Sequence, residues 1–277
     1  MVTTVAIVSR GDPGYPAQLE EIADPPDRLW VRGTLPPTPA VAIVGTRRAT
    51  RYGLSLAREM GRAVALAGWV VVSGLARGVD GAAHRGCLDG GGAGIAVLGC
   101  GIDIWYPPEH QRLGEELVAG EGAVVSEYPP GTRPEPWRFP ARNRIISGLS
   151  AAVVVVEAAE KGGALITARL AAEQGRDVFA VPGDVHRETS LGTNLLIRDG
   201  AIPVLGAADL VEALSLILGP PRTHTDVDLP FAMPYDGATV EEVIAASGGD
   251  TAEVLQSLGR MEAEGRVRIE AGQVFIA

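Results

Sequence analysis

Six short apolar runs punctuate the chain: VAIVG (41–45), WVVVSG (69–74), IAVLG (95–99), AVVSEY (123–128), AVVVVEA (152–158) and VFAVPG (178–183). They are continuously apolar and rich in β-branched residues rather than alternating, as expected of strands covered on both faces. Stretches with helical spacing lie between them, among them SLAREMGRAVALAG and ITARLAAEQG. Strand–helix alternation of this kind predicts an α/β fold with a doubly wound, mostly parallel sheet. Ligands in such sheets sit beyond the carboxyl ends of the strands, where each glycine-containing loop emerges.

The flanking segments break this rhythm. Residues 1–40 are richer in proline (PGYP, DPPD, LPPTP) and read as a lead-in packed on the core. The core itself spans 41–217, followed by a proline-punctuated linker over 218–233. Residues 234–277 show helix, turn, helix, then two short strands around Ala271-Gly272, which predicts a small winged-helix domain.

Charge changes the picture more than composition does. The 277 residues carry a formal charge of −10, whose far field repels phosphate and argues against indiscriminate nucleic-acid binding. The charge is segregated, however. Residues 41–86 hold seven arginines (47, 48, 51, 58, 62, 77, 85) against Glu59 and Asp80. From Asp236 onward eight acids stand against Arg260, Arg266 and Arg268. Two cysteines with no CxxC, no cationic leader and no apolar run near the roughly 20 residues of a membrane span predict a cytoplasmic protein.

Four stretches are candidates for chemistry. In GTRRATRYG (45–53), Thr46 is a candidate helix cap, and Arg47 and Arg48 offer forked phosphate donors at a helix start. A solvated basic helix start is the plain alternative. In SGLARGVDGAAH (73–84), Arg77 lies in the loop, while Asp80 and His84 share a helix face as an acid/base or metal pair or, with no third ligand nearby, as buried structural groups. In WRFPARNRIISG (137–148), Pro140 is expected to hold an extended backbone, so that Phe139, Arg142, Asn143 and Arg144 interleave rings and cations. That alternation suits single-stranded nucleic acid, although Trp137 can equally be core, and Phe139 less readily so. In EAAEKGGALITAR (157–169), Lys161, the only lysine, precedes Gly162-Gly163 at a helix start, where backbone N–H groups converge on an anion. GCG (99–101) reads as a tight turn. No nucleophile–base pair, Walker, HExxH or dinucleotide fingerprint occurs, so neither catalysis nor a cofactor nor a metal is expected.

These motifs, in this order, resemble the bacterial DNA-processing protein DprA (Smf) family. GTRRATRYG, SGLARGVDGAAH, AVLGCGIDIWYP (96–107), SEYPPG (126–131), FPARNRIISGLS (139–150), VVEAAEKGGALITA (155–168), GRDVFAVPG (175–183) and GTNLLIRDGA (192–201) carry the resemblance. It implies an extended Rossmann-like core that binds single-stranded DNA, loads RecA recombinase during natural transformation and relieves the barrier of single-strand binding protein. It implies a homodimer, with 195–214 as candidate surface, and a DNA pocket drawing on Arg47, Phe139, Arg142, Asn143, Arg144 and Lys161. Thr46 stands where the family usually has Ser, Gly162 where Ser is common, and His110 where Asn is usual. Many members carry an N-terminal helical domain with no counterpart here. The acidic C-terminal module is expected to contact protein rather than duplex DNA.

The alternative is a nucleotide-binding or nucleotide-hydrolysing protein of the same fold. It has to rely on Glu127 or Glu157, because GGALITARL lacks the glutamate a nucleoside-monophosphate hydrolase would place there.

Overall fold

Apolar on both faces, the six runs become adjacent strands. The computed structural model describes residues 5–37, 39–221, 238–247, 251–263, 267–270 and 272–276. The chain divides into two units, Met1–Pro221 and Arg222–Ala277. The first begins with β1 (Val5–Ser9), the short helix α1 (Ala17–Glu20) and β2 (Arg28–Gly33). Then follow β3 (Ala40–Val44), α2 (Arg51–Leu66), β4 (Val70–Ser73), α3 (Val79–Asp89), β5 (Gly94–Leu98), α4 (Gln111–Ala119) and β6 (Ala123–Ser126). The unit closes with α5 (Arg138–Gly148), β7 (Ala152–Val155), α6 (Gly163–Glu173), β8 (Asp177–Ala180), α7 (Glu188–Arg198), β9 (Ile202–Pro203) and α8 (Ala207–Leu218).

All nine strands form one sheet in the order β1-β2-β6-β5-β4-β3-β7-β8-β9. The seven from β6 to β9 run parallel; β1 and β2 add antiparallel to the β6 edge. Every residue of β3 to β7 is buried. One face packs on Ile145 and Ile146 of α5 and on Ala164, Ala168 and Ala171 of α6. The buried positions of α6 (164, 167, 168, 171) keep the spacing of one helical face. The other face packs Leu98 and Val124 on Leu113 and Leu117 of α4.

Two expectations change. The proline-rich lead-in does not only pack on the core, through Tyr15, Leu19 and Ile22; Val31 and Trp30 of β2 also pair with Val125 and Ser126 of β6, inside the sheet. Leu29 and Val31 are buried while their neighbours are less so, the alternation of a one-sided antiparallel strand. Pro140 does not hold an extended backbone either. It sits in the first turn of α5, where no intrahelical carbonyl awaits its missing N–H and its fixed φ suits the helix.

The second unit comprises β10 (Ala238–Thr239), α9 (Val240–Ser247), α10 (Thr251–Ala263), β11 (Val267–Glu270) and β12 (Gln273–Ile276), with sheet order β10-β12-β11. Thr239 and Glu242 form a reciprocal cap: Thr239 N–H donates to the Glu242 carboxylate at 2.8 Å, and Glu242 N–H to the Thr239 hydroxyl at 3.2 Å. Val243, Val254, Leu258, Met261, Val267 and Val274 make its core. From residue 222 the expected linker lies outside the described residues, as does Ala271 of the expected turn.

Candidate nucleic-acid interface

Strand order places the site. The chain runs outward from β3 through β4, β5 and β6, then returns to lay β7 on the other side of β3. Loops leaving β3 and β7 therefore part at their carboxyl ends, the switch point where open α/β sheets hold ligands. These loops are GTRRAT (45–50) and EAAEKGG (157–163).

Glu157, at the start of the second loop, fastens the first. Its carbonyl accepts the Thr46 N–H at 2.7 Å. Its carboxylate accepts the Thr50 N–H at 2.9 Å and the Thr50 hydroxyl at 2.6 Å. Thr50, not Thr46, then caps α2 by accepting the Gly53 N–H at 3.1 Å. Thr46 instead accepts the Arg48 N–H at 3.2 Å and makes a turn of its own. The loop is longer than the motif suggests, and it carries Arg47 and Arg48 exposed.

A cleft of about 490 Å³ opens between the loops, lined by Arg47, Arg48, Phe139, Arg142, Asn143, Gly162 and Gly163 among the expected residues. The Arg47 guanidinium lies 5.0 Å from the centre of the Phe139 ring, within cation–π range. Tyr106 packs on Phe139 with ring centres 5.2 Å apart. A Cβ on Gly99 would come within 2.9 Å of the Phe139 ring, so GCG makes room for the aromatic as well as turning the chain. An adjoining recess adds Arg77 and Gly74. Arg77 is paired with Glu109, which holds its guanidinium charged and occupied. The sequence reading missed Tyr106, whose signal was the WYP tripeptide after β5, and it missed Glu109.

Arg142 lines the cleft but is 3% exposed. Its Nη1 donates to the carbonyls of Gly74, at 2.9 Å, and Val97. The guanidinium lies so close to Gly74 that a Cβ there would sit 2.6 Å from it. Asp80, also buried, accepts the Gly74 N–H at 3.1 Å. Burial pulls the Arg142 pKa down to about 10 and pushes the Asp80 pKa up; each charge partly offsets the other's shift. Arg142 thus braces the cleft floor rather than offering a free fork.

Arg144 falls outside the cleft. Its two Nη groups meet Glu127 at 2.8 and 2.7 Å, and its Nε meets Asp24 at 2.9 Å. It lines a separate recess of about 300 Å³ with Asp24, Asp27 and Trp30. The reason is helical: residues two apart on an extended chain share a side, but on a helix they diverge by about 200°. Lys161 is exposed beside Gly162 without lining the cleft itself. Asn143 links α5 to the start of α6, its Nδ2 donating to the Gly163 carbonyl at 3.4 Å.

His84 is fully enclosed, and burial drives its pKa down to about 3. Burial likewise pushes the thiols of Cys87 and Cys100 up to about 12 and 11, so neither is a reactive thiolate at neutral pH. Among the described residues, no group of three or more His, Cys, Asp or Glu is placed to hold a metal, and no helix is long and apolar enough to cross a membrane.

Comparison with known proteins agrees with this geometry. Residues 6–215 match the family model of DNA recombination-mediator protein A. The Smf protein of Synechocystis is 46% identical over 212 residues, covering 74% of this chain and 53% of its own. The chain therefore spans about half the length of that relative. The crystal structure of Streptococcus pneumoniae DNA processing protein A superposes with a TM-score of 0.70 at 41% identity, covering 76% of this chain and 74% of that one. DNA processing protein A of Helicobacter pylori, solved for its single-stranded DNA binding mode, matches at a TM-score of 0.68 and 29% identity, over 77% and 96% of the two chains. A mostly parallel α/β core, a cleft at the switch point and a family match spanning nearly the whole first unit lead to one conclusion: the chain belongs to the DNA recombination-mediator protein A family.

Proposed function

We propose that this protein binds single-stranded DNA in the switch-point cleft, without catalysis, cofactor or metal. The observation that carries this reading is the packing of Arg47 and Tyr106 on Phe139 within a cleft opened by two glycine-containing loops. Cations follow a phosphate backbone while ring faces stack on unpaired bases, which a duplex keeps paired. Arg47 and Arg48 supply donors at the cleft beside Gly162 and Gly163, with Lys161 exposed next in sequence and Arg77 in the adjoining recess.

Binding to oligo-dT, followed by fluorescence anisotropy across a salt series, tests it. Each lost phosphate contact lowers the slope of log affinity against log salt by about 0.7. Arg47→Ala is expected to weaken binding and flatten the slope by about that amount. Equal affinity of the wild-type protein for duplex and single strand, or an Arg47→Ala curve superimposed on wild type, would overturn the site.

Hydrolysis of a nucleotide requires a carboxylate free to act at the cleft. Glu157 is engaged with Thr50, and Glu127 with Arg144. Asp80, the carboxylate that lines the cleft, is buried and accepts the Gly74 N–H beside Arg142.

The finer assignments rest on the resemblance and the surface: RecA loading in the cytoplasm, relief of single-strand binding protein, and a homodimer. Edge strand β9 leaves Ile202 exposed, with Leu205 just after it at 77% exposure, an apolar edge that a second copy would cover. The second unit, read as a winged helix, contacts protein, because its acids oppose duplex DNA. Mass in solution, followed by RecA filament nucleation on oligonucleotide coated with single-strand binding protein, tests these roles together. A monomer that leaves nucleation unchanged would sink them.

A further inference from the structure

We propose that Trp137 is a second stacking platform for an unpaired base, one step beyond the cleft. This rests on the single-strand reading above. Trp137 leaves 59% of its surface in water, although tryptophan is usually among the more buried residues. It is the residue immediately before α5, and its neighbours Pro136 and Pro140 both line the cleft. The backbone of Trp137 therefore borders the cleft, while its exposed indole lies outside the cleft lining.

Its surroundings hold it in place. The Arg138 guanidinium lies 4.9 Å from the indole centre and 5.1 Å from the centre of the Tyr128 ring, tying the two aromatics together. Arg138 is itself anchored, donating to the Arg133 carbonyl and lying 3.5 Å from the Glu135 carboxylate. The Trp137 Nε1–H donates to the same Glu135. A ring fixed from its edge and packed on a cation loses little side-chain freedom when a base stacks on it. Sequence-tolerant stacking of this kind suits a partner read by base faces, not base edges.

The test compares wild type, Trp137→Ala and Trp137→Tyr on oligo-dT and on an abasic oligonucleotide of equal length, with thermal melts to confirm folding. Trp137→Ala is expected to weaken oligo-dT binding roughly 5- to 100-fold, the range of one lost base stack. The salt slope stays unchanged, because no phosphate contact is lost. Trp137→Tyr restores most of the affinity, and the abasic strand binds all three proteins alike. Equal oligo-dT affinity of wild type and Trp137→Ala overturns the platform, even when Arg47→Ala shows the cleft to be in use. So does a loss that is equally large on the abasic strand. If Trp137→Ala spares DNA affinity but lowers RecA nucleation, the indole is a protein contact and the proposal fails. Absence of oligo-dT binding by the wild-type protein removes the single-strand reading itself, and the platform with it.

Discussion

Arg142→Ala is expected to lower the free energy of unfolding by roughly 3–5 kcal/mol, measured by urea denaturation. Three losses combine. The carbonyls of Gly74 and Val97 lose a charged donor, Asp80 loses the cation that offsets its burial, and the space beside Gly74 empties. Charge-assisted hydrogen bonds contribute about 1.5–3 kcal/mol each, and an orphaned buried carboxylate costs more than its pairing had gained. DNA affinity should fall as well, because the SGLARG loop loses its brace, but only together with stability. A variant that unfolds at the wild-type urea midpoint while losing oligo-dT affinity would return Arg142 to the role of phosphate ligand.

The second large effect is on acid stability. His84 titrates at 6.5 when unfolded but at about 3 in the native protein. Burial is the main cause, His110 adds to it, and the Ser73 backbone works against it. Below pH 6.5 the unfolded chain takes up a proton that the native chain refuses. Stability is therefore complete above that value and drains away as pH falls towards 3. At 1.36 kcal/mol per pH unit the window amounts to roughly 5 kcal/mol. Asp80 acts in the opposite sense, since its native pKa is raised and its contribution is lost as pH rises. It is common to both proteins when wild type is compared with His84→Asn, so the difference isolates the histidine. The difference between the His84→Asn and wild-type midpoints is expected to be constant above pH 6.5 and to shift steadily in favour of the variant as pH falls towards 4. Parallel profiles would show that His84 does not titrate in that window.

The strands of the parallel core were legible because their pattern is local: burial on both faces demands unbroken apolar runs, and each run became a strand. β1 and β2 were hidden by prolines and by half-burial, which leaves a weaker pattern. Within the candidate site, seven of the ten expected residues line the cleft, because loops after parallel strands must emerge at one edge. What failed depended on partners distant in sequence. Nothing near Arg144 announces Asp24, 120 residues away, which together with Glu127 occupies the guanidinium. The backbone engagement of Arg142 was illegible for a related reason, since its acceptors Gly74 and Val97 lie 68 and 45 residues away. Pro140 misled through a rule that weakens at helix starts. Trp137 was equally readable as core or surface and Phe139 less readily as core; in the fold Phe139 sits over Gly99, while Trp137 faces solvent.

The Glu157 clasp on Thr46 and Thr50 has a kinetic consequence. A lip whose backbone is already tied to the neighbouring strand does not have to order itself when a strand arrives. Its entropy is surrendered once, at folding, rather than at every encounter. In the proposed single-strand role, capture then proceeds at the pace of diffusion and charge, and the lifetime of the complex is left to the contacts themselves.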